Sequence, residues 1–363
     1  MSKKKLNIVL DIGKTNVKLI FLDEKGQFFK EIKTKQTLKF YKKKISYLNS
    51  EKIINWLLLN LNKFSTVYNF KKFVCTTHGA TVAFINQHDQ EIIASTDYEY
   101  KYDKFSKDFQ NLAPSFKTSL TPHLEGGLNI GQQIYYLNRI FPEIIRNTKF
   151  ILSYPQYITW KLTGNYSSEI SYIGCHSFLW NFKKNNYSSL VSKLKITKKF
   201  PKINKAWEKI GNLLIKDNKI NVLNGVHDSN ASYLYFKNSS LKNFTLVSTG
   251  TWYIIFNQST KFSKLNPKLD MLCSIDIFGN HVPTMRFMGG REHDTLCKLL
   301  KITNKTTSKI NEKDLIKNLI YPSFASAGPF KINKNLSKIK IIKLSNNQKY
   351  SLVCIYMAFT LNF

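Results

Sequence analysis

Arginine, acidic residues, paired cysteines and long apolar runs are all scarce in this sequence, and each scarcity excludes something. Only Arg139, Arg146, Arg286 and Arg291 are arginines; the other 51 of the 55 basic residues are lysine. Against 23 acidic residues they give the 363-residue chain a formal charge of +32. Proteins that read DNA or RNA rely on arginine for bidentate contacts to bases and phosphates. Here the lysines are spread over the whole length, and the densest runs, Lys3-Lys4-Lys5 and Lys42-Lys43-Lys44, are short and lack interleaved aromatics. No specific nucleic-acid partner is expected, although the positive field attracts anionic ligands, as suits a phosphate-handling protein. The five cysteines (Cys75, Cys175, Cys273, Cys297 and Cys354) are odd in number and scattered, with no CxxC pair. That argues for a reducing compartment and against a disulfide scaffold or zinc ribbon. The apolar stretch Leu6 to Leu10 is too short for a signal-peptide core and runs into Asp11, and Leu352 to Phe363 falls short of the ~20 residues a membrane span needs. The chain reads as cytoplasmic, with no membrane partner.

What is present suffices for folded domains. Hydrophobic residues make up 43% and aromatics 14%, and the length suggests two domains or one large one. Residues 6–10 and 17–22 read as two strands flanking the polar loop Asp11-Ile12-Gly13-Lys14-Thr15-Asn16, a hairpin. Helical spacing of Ile53, Ile54, Leu57, Leu58 and Leu61 predicts a helix over 52–64. A buried-type strand over 71–76 ends in Thr76-Thr77-His78-Gly79. Helices are predicted over 128–146 and over 155–163, the latter with Pro155 in its first turn and Gly164 past its end. A strand over 219–224 leads into Gly225-Val226-His227-Asp228. The opening pattern then returns: strands over 244–248 and 252–256 flank Thr249-Gly250-Thr251, which suggests an internal duplication. The boundary falls near 236–243, where Phe236-Lys237-Asn238-Ser239-Ser240 reads as a loop, giving domains over 5–238 and 241–363. Helices are expected over 291–301 and from 348 onward, with 321–330 a loop between them.

Three constellations can carry chemistry. The Asp11–Asn16 loop can turn backbone N–H groups and hydroxyls toward a phosphate, while Asp11 can hold a magnesium ion through its waters. It is not a P-loop, because GxxxxGK[ST] is absent and a strand follows. Alone, it fits a ligand-free Gly/Asn hairpin turn better than a phosphate site. Ser248-Thr249-Gly250-Thr251 repeats the design, and two such loops suggest that both halves grip one polyphosphate across a cleft. Asp228, at the carboxyl end of a strand, can accept the proton of an attacking hydroxyl, or can simply cap a helix over 229–235. His78 suits hydrogen bonding to a polyol or an ordinary loop role, while His293-Asp294 with Cys297 reads as part of a plain helix. No G-x-S-x-G motif supports a hydrolase triad.

In order along the chain, these residues resemble the FGGY family of carbohydrate kinases, within the actin-like, ribonuclease-H-like ATPase superfamily. Asp11-Ile12-Gly13-Lys14-Thr15-Asn16 resembles the first phosphate motif, and Ser248-Thr249-Gly250-Thr251 the second. Thr77-His78-Gly79 falls where the family has a sugar-contacting loop, and Asp97-Tyr98-Glu99 where a second substrate loop lies. Pro155-Gln156-Tyr157 through Thr163-Gly164 resembles the P-x-Y-x-x-W-x-L-T-G helix, followed by Ser168-Glu169 and Cys175-His176-Ser177. Gly225-Val226-His227-Asp228 resembles the G-G-H-D signature. The resemblance implies a two-domain α/β fold and ATP-dependent phosphorylation of a ketose or deoxy-ketose hydroxyl. It makes Asp228 the catalytic base and gives ATP phosphates and Mg2+ to Asp11, Gly13, Lys14, Thr15, Asn16, Thr249, Gly250 and Thr251. Substrate contacts fall to His78, Gly79, Tyr98, Glu99, His227 and Asp228. In detail the motifs look closest to L-fuculose and L-rhamnulose kinases.

Two departures stand out. Val226 replaces a usual second glycine, so the turn there is expected to differ slightly. Family members also continue past this point through an adenosine loop. The second domain is therefore expected to be incomplete, leaving Leu352, Val353, Ile355, Met357 and Leu361 without partners and favouring self-association, such as a homodimer. Gly289-Gly290 is the nearest candidate for an adenine contact, against a plain loop before a helix. The alternative to a working kinase is a non-catalytic remnant that binds sugar but not nucleotide.

Overall fold

The computed structural model describes residues 3–239, 241–325, 327–330 and 339–362. The chain divides into two compact units, Met1–Leu241 with Cys273–Val282, and Lys242–Leu272 with Pro283–Phe363. In the first, β1 (Lys4–Ile12) and β2 (Asn16–Leu22) form the expected antiparallel hairpin, closed where Gly13 N–H donates to the Asn16 carbonyl at 3.0 Å. Their period-2 alternation buries Leu6, Ile8, Leu10 and Ile12 on β1 and Val17, Leu19 and Phe21 on β2. β3 (Phe28–Lys35) extends the sheet beyond β2. Helix α1 (Ser50–Phe64) is capped by the Asn49 side chain, which accepts from Lys52 N–H, and it buries Ile53, Ile54, Leu57 and Leu61 along one stripe.

Four further strands complete the sheet: β4 (Tyr68–Thr77), β5 (Lys209–Ile215), β6 (Asn218–Leu223) and β7 (Val226–His227). Their order is β5-β6-β4-β1-β2-β3, with β7 also beside β4. β1, β4 and β7 run parallel, in a register that sets Asp11 against Thr76 and Thr76 against Val226, then Ile12 against Thr77 and Thr77 against His227. The three strands therefore end side by side. Each releases its candidate motif at the same edge, the carboxyl ends where α/β sheets collect ligands.

Two helix expectations need correction. The pattern over 128–146 forms two helices, α2 (Ile130–Ile140) and α3 (Pro142–Asn147), with Phe141 between them at φ −137°. Pro142 offers no N–H to continue the first helix and instead starts the second. The helix after Asp228, α6 (Asp228–Lys237), takes in Phe236 and Lys237, which were expected in a loop; Ser240 lies outside the described residues. Between them come α4 (Tyr154–Thr163), ended by left-handed Gly164 at φ +74°, and the single turn α5 (Ile170–Ile173).

In the second unit, β8 (Leu246–Ser248) and β9 (Tyr253–Phe256) repeat the antiparallel opening. With β10 (Met271–Ile275) and β11 (His281–Phe287) they form a sheet ordered β8-β9-β11-β10. Helices α7 (Gly289–Leu299) and α8 (Asn346–Asn362) follow, Phe363 lying outside the described residues. The expectation that α8 lacks partners is overturned for its inner face. Leu352, Val353 and Met357 are buried, and Val353, Tyr356 and Met357 join Phe287, Leu296, Cys297 and Leu300 in one cluster. Such burial is worth ~1.5–3 kcal/mol for each large apolar side chain. Phe359 and Leu361 remain exposed. Among the described residues no helix is long and apolar enough to cross a membrane.

Candidate active site

In the first unit the site is built on the ends of β1, β4 and β7. Asp11 pairs with Lys18 across the hairpin, Nζ to Oδ2 at 3.6 Å. Burial raises its carboxyl above the usual range, Lys18 opposes this, and the nearby Asp228 carboxylate adds to it. Asp228 opens α6, and its Oδ1 accepts from Ser229 N–H at 2.6 Å and Ser229 Oγ–H at 3.2 Å. Asp228 is thus the first residue of the helix after His227, not the side-chain cap of a helix over 229–235, and it remains half-exposed. Its carboxyl is also raised by burial, with His78 opposing the shift. A carboxylate whose proton affinity is raised by burial and by a second carboxylate nearby suits a divalent cation.

The turn that aims Asp228 depends on glycine. Gly225 sits at φ +87°, and a Cβ there would lie 2.7 Å from the Cys75 carbonyl oxygen. Val226 itself pairs as a strand residue, so the missing second glycine needs no left-handed backbone. Helix α4 braces this turn. Gln156 Nε2–H donates to the Asn224 carbonyl at 2.8 Å, and Thr159 Oγ1 donates to the carbonyls of Leu223 and Asn224 at 3.3 Å. The Pro155–Gly164 motif is therefore scaffolding for Asp228.

Around Asp228 stand histidines. His227 Nε2 lies 3.5 Å from Asp228 Oδ1. His78 is buried against Tyr98 and Tyr154, with ring centroids at 5.2 and 5.7 Å. Burial lowers both rings to about 4, so both are neutral at neutral pH. Gly79 has no room for a side chain, since a Cβ would stand 2.6 Å from His227 Nε2. Lys14 reaches away from its own loop. Its ammonium pairs with buried Asp97 and, at 3.5 Å, with Glu99, and lies 4.7 Å from the Tyr98 ring centroid. Asp97 also accepts from Ser46 Oγ–H at 2.9 Å and from Glu99 N–H at 3.0 Å. Lys14 thereby joins the 13–16 loop to the 97–99 loop. Glu169, wholly buried, accepts from the N–H groups of Ser171 and Tyr172 and from Ser171 Oγ–H; burial raises its carboxyl to about 7.

The second unit carries a cavity of about 520 Å³. Gly250 and Thr251 of the β8–β9 loop line it, with Gly290, Arg291, Thr295 and Lys298 from α7. Gly289 and Gly290 are the first turn of this helix, not a loop ahead of it. A Cβ on Gly290 would stand 2.1 Å from the Gly250 carbonyl oxygen, so only glycine lets the helix start abut the loop. The helix N-terminus, the loop of small residues and the cations Arg291 and Lys298 favour a polyanion, with the Asp294 carboxylate opposing on the same lining. Behind it, buried Glu292 accepts from the N–H groups of Phe324 at 2.9 Å and Ala325 at 2.6 Å and from Tyr356 Oη–H at 2.5 Å. This ties α7 to α8. Arg286 packs 4.5 Å from the Trp252 ring and pairs with buried Asp270 at 3.4 Å.

Comparison with known proteins decides the family. The N-terminal domain of the FGGY family of carbohydrate kinases matches residues 6–233, and the carbohydrate kinase FGGY C-terminal domain matches residues 241–362. The chain belongs to the FGGY family of carbohydrate kinases. Its fold is the two-domain, actin-like α/β architecture of these sugar kinases, and as a family member it is a phosphotransferase with a sugar alcohol group as acceptor. Similar solved structures include a carbohydrate kinase from Novosphingobium aromaticivorans, at 26% identity and TM-score 0.85, covering 99% of this chain and 81% of that one. A xylulose kinase from Lactobacillus acidophilus follows at 15% identity and TM-score 0.75 over 98% and 77%. Plasmodium falciparum glycerol kinase with ADP gives 12% and 0.79 over 100% and 78%. A search of curated proteins by sequence gives no match. Within this FGGY kinase, Arg291, Thr295 and Lys298 escape sequence reading because nothing local marks them. The Gly289-Gly290 pair opening an amphipathic helix was the one available signal.

Proposed function

We propose that the chain phosphorylates a hydroxyl of a ketose or deoxy-ketose, of the L-fuculose and L-rhamnulose type, with Mg-ATP as donor. The observation that carries the reading is Asp228: a half-buried carboxylate of raised proton affinity, at the shared edge of three parallel strands and beside two neutral imidazoles. The residues present fit both halves of the donor. The glycine cradle of Gly250 and Gly290, with Arg291 and Lys298, suits a polyphosphate; Asp11, with Asp228 nearby, suits magnesium through water. When bound, Mg-ATP supplies the electrophilic phosphoryl group. Asp228 accepts the proton of the attacking hydroxyl, and His78, Gly79, Tyr98, Glu99 and His227 frame the sugar. Gly13, whose N–H closes the turn on the Asn16 carbonyl, shapes the loop, while Thr15, Asn16 and the Thr249-Gly250-Thr251 loop offer N–H groups and hydroxyls to phosphate. Lys14, committed to Asp97 and Glu99, links the phosphate loop to the sugar loop. Residues 5–238 form the sugar-binding domain and 241–363 the nucleotide domain, working in a reducing, cytoplasmic setting.

The test is Asp228→Asn. Transfer should fall by ~10²–10⁴-fold while calorimetry still finds sugar and ATP bound. A variant that retains full transfer contradicts the base assignment. A wild-type chain that binds sugar but neither binds ATP nor yields product supports instead a sugar-binding remnant.

A further inference from the structure

Tyr172 has no part in the chemistry above, yet its side chain touches two of the three motifs at the strand ends. It is buried, and its hydroxyl lies where the loop leaving β4 folds back on itself. Thr81 N–H donates to Tyr172 Oη at 3.0 Å. The carbonyls of His78 and Thr81 lie within reach of the hydroxyl proton, at 3.0 and 2.9 Å. One phenol therefore gathers backbone groups from both ends of the His78–Thr81 turn. Its ring stands perpendicular to that of His227, with centroids 5.7 Å apart and planes at 86°.

The turn needs such a hold. Ala80 sits at φ +57°, a left-handed value that a Cβ disfavours. Backbone strain of this kind persists only where the surroundings enforce it. Gln133 Nε2–H donates to the Ala80 carbonyl at 2.7 Å and grips the tip, while Tyr172 joins the two feet. Thr77 Oγ1–H also donates to the His78 carbonyl, at 2.9 Å, so the bond that depends most on the phenol is that of Thr81 N–H. Thr81 is wholly buried, and a buried N–H deprived of its acceptor is costly.

Tyr172 is itself fixed from behind. It projects from the single turn α5, where the Glu169 carboxylate accepts from Tyr172 N–H at 3.1 Å and from Ser171 N–H at 3.0 Å. Glu169 and Ser171 are wholly buried, so water does not compete for these bonds. A chain of hydrogen bonds runs from Glu169 through Tyr172 to a turn about ninety positions earlier in the sequence. Among the described residues the Tyr172 side chain makes no hydrogen bond to the 13–16 loop.

We propose that Tyr172 is a positioning residue for the sugar: its hydroxyl holds the His78–Thr81 turn, and its ring the His227 imidazole, in the arrangement that receives the substrate. This rests on the sugar-kinase reading of the Asp228 site. Tyr172 acts through the turn and not on the reacting atoms, so its loss falls on sugar affinity and spares both ATP and the proton transfer to Asp228.

The test is Tyr172→Phe, which keeps the ring against His227 and removes the hydroxyl. It should raise the KM for the sugar that the wild type uses best about tenfold, leaving the KM for ATP unchanged. At saturating sugar its kcat should stay within ~threefold of the wild type. A sugar KM within ~twofold of the wild type, or a KM for ATP that rises with it, overturns the inference and leaves the Asp228 assignment standing. If the wild type transfers no phosphate, the kinase reading fails separately, and calorimetry compares the same two proteins. Sugar affinity should then fall about tenfold in Tyr172→Phe. Equal affinity, or a wild type that binds no sugar, overturns this inference. Should the variant not fold, hydrogen exchange of the wild type decides. The Thr81 amide should resist exchange and gain further protection when sugar is added. Exchange at the rate of an exposed loop, or exchange indifferent to sugar, contradicts the proposal.

Discussion

Asp228 shows how much one side chain's surroundings decide. Burial raises its carboxyl above the 3.8 of an ordinary aspartate, and only the deprotonated form can take a proton. The acid limb of the kcat/KM profile should therefore lie above 3.8, activity falling as pH drops through it. His78 and His227 act on stability with their own sign. Both titrate at about 4 when folded against 6.5 in free chain, so the unfolded state binds more protons between those values. Their share of stability is complete above pH 6.5 and is lost as pH falls toward 4, which thermal unfolding across that range should register. At this scale Asp228, His227, His78 and the phosphate-loop residues were legible because each follows a strand in a short polar motif. The pairing of Lys14 with Asp97 and Glu99 was not, because it joins loops about eighty positions apart that no local pattern brings together.

Elements show which sequence signals survive packing. The alternation on β1 and β2 and the stripe on α1 reappear as buried faces. The pattern over 128–146 misled because apolar spacing continues through Pro142, whose missing N–H divides the helix. Helix α8 misled in the opposite direction. Its inner apolar residues find partners on α7 and β11, distant elements that the sequence could not bring together. Two substitutions test these contacts. Glu292→Ala leaves the Phe324 and Ala325 N–H groups and the Tyr356 hydroxyl without their acceptor, and at ~1–3 kcal/mol for a buried unsatisfied group it should lower the Tm of the second unit by several degrees. Gly290→Ala drives a methyl to within 2.1 Å of the Gly250 carbonyl oxygen. It should raise the KM for ATP, or abolish nucleotide binding, while leaving sugar affinity unchanged; unchanged ATP kinetics would contradict the cradle.

Across the whole molecule the charge of +32 carries the prediction. The field is made by lysines on solvated faces, so salt screens it within a Debye length of ~10 Å at 0.1 M. Raising ionic strength should raise the KM for ATP and leave that for a neutral sugar nearly constant, as steady-state kinetics at fixed magnesium can read. An anionic sugar would instead lose affinity together with ATP. The two-part organisation was legible because the hairpin opening recurs after residue 243. The allotment of the 273–282 tip to the first unit was not, since it depends on packing far from either motif.

The most direct measurement of the central claim is the mass of the product formed when the 363-residue chain meets Mg-ATP and a panel of neutral ketoses, deoxy-ketoses and polyols. The account predicts a sugar monophosphate from at least one of them, formed with stoichiometric ADP and absent with Asp228→Asn. ATP turnover that leaves every sugar unmodified, or equal product from wild type and variant, would contradict it.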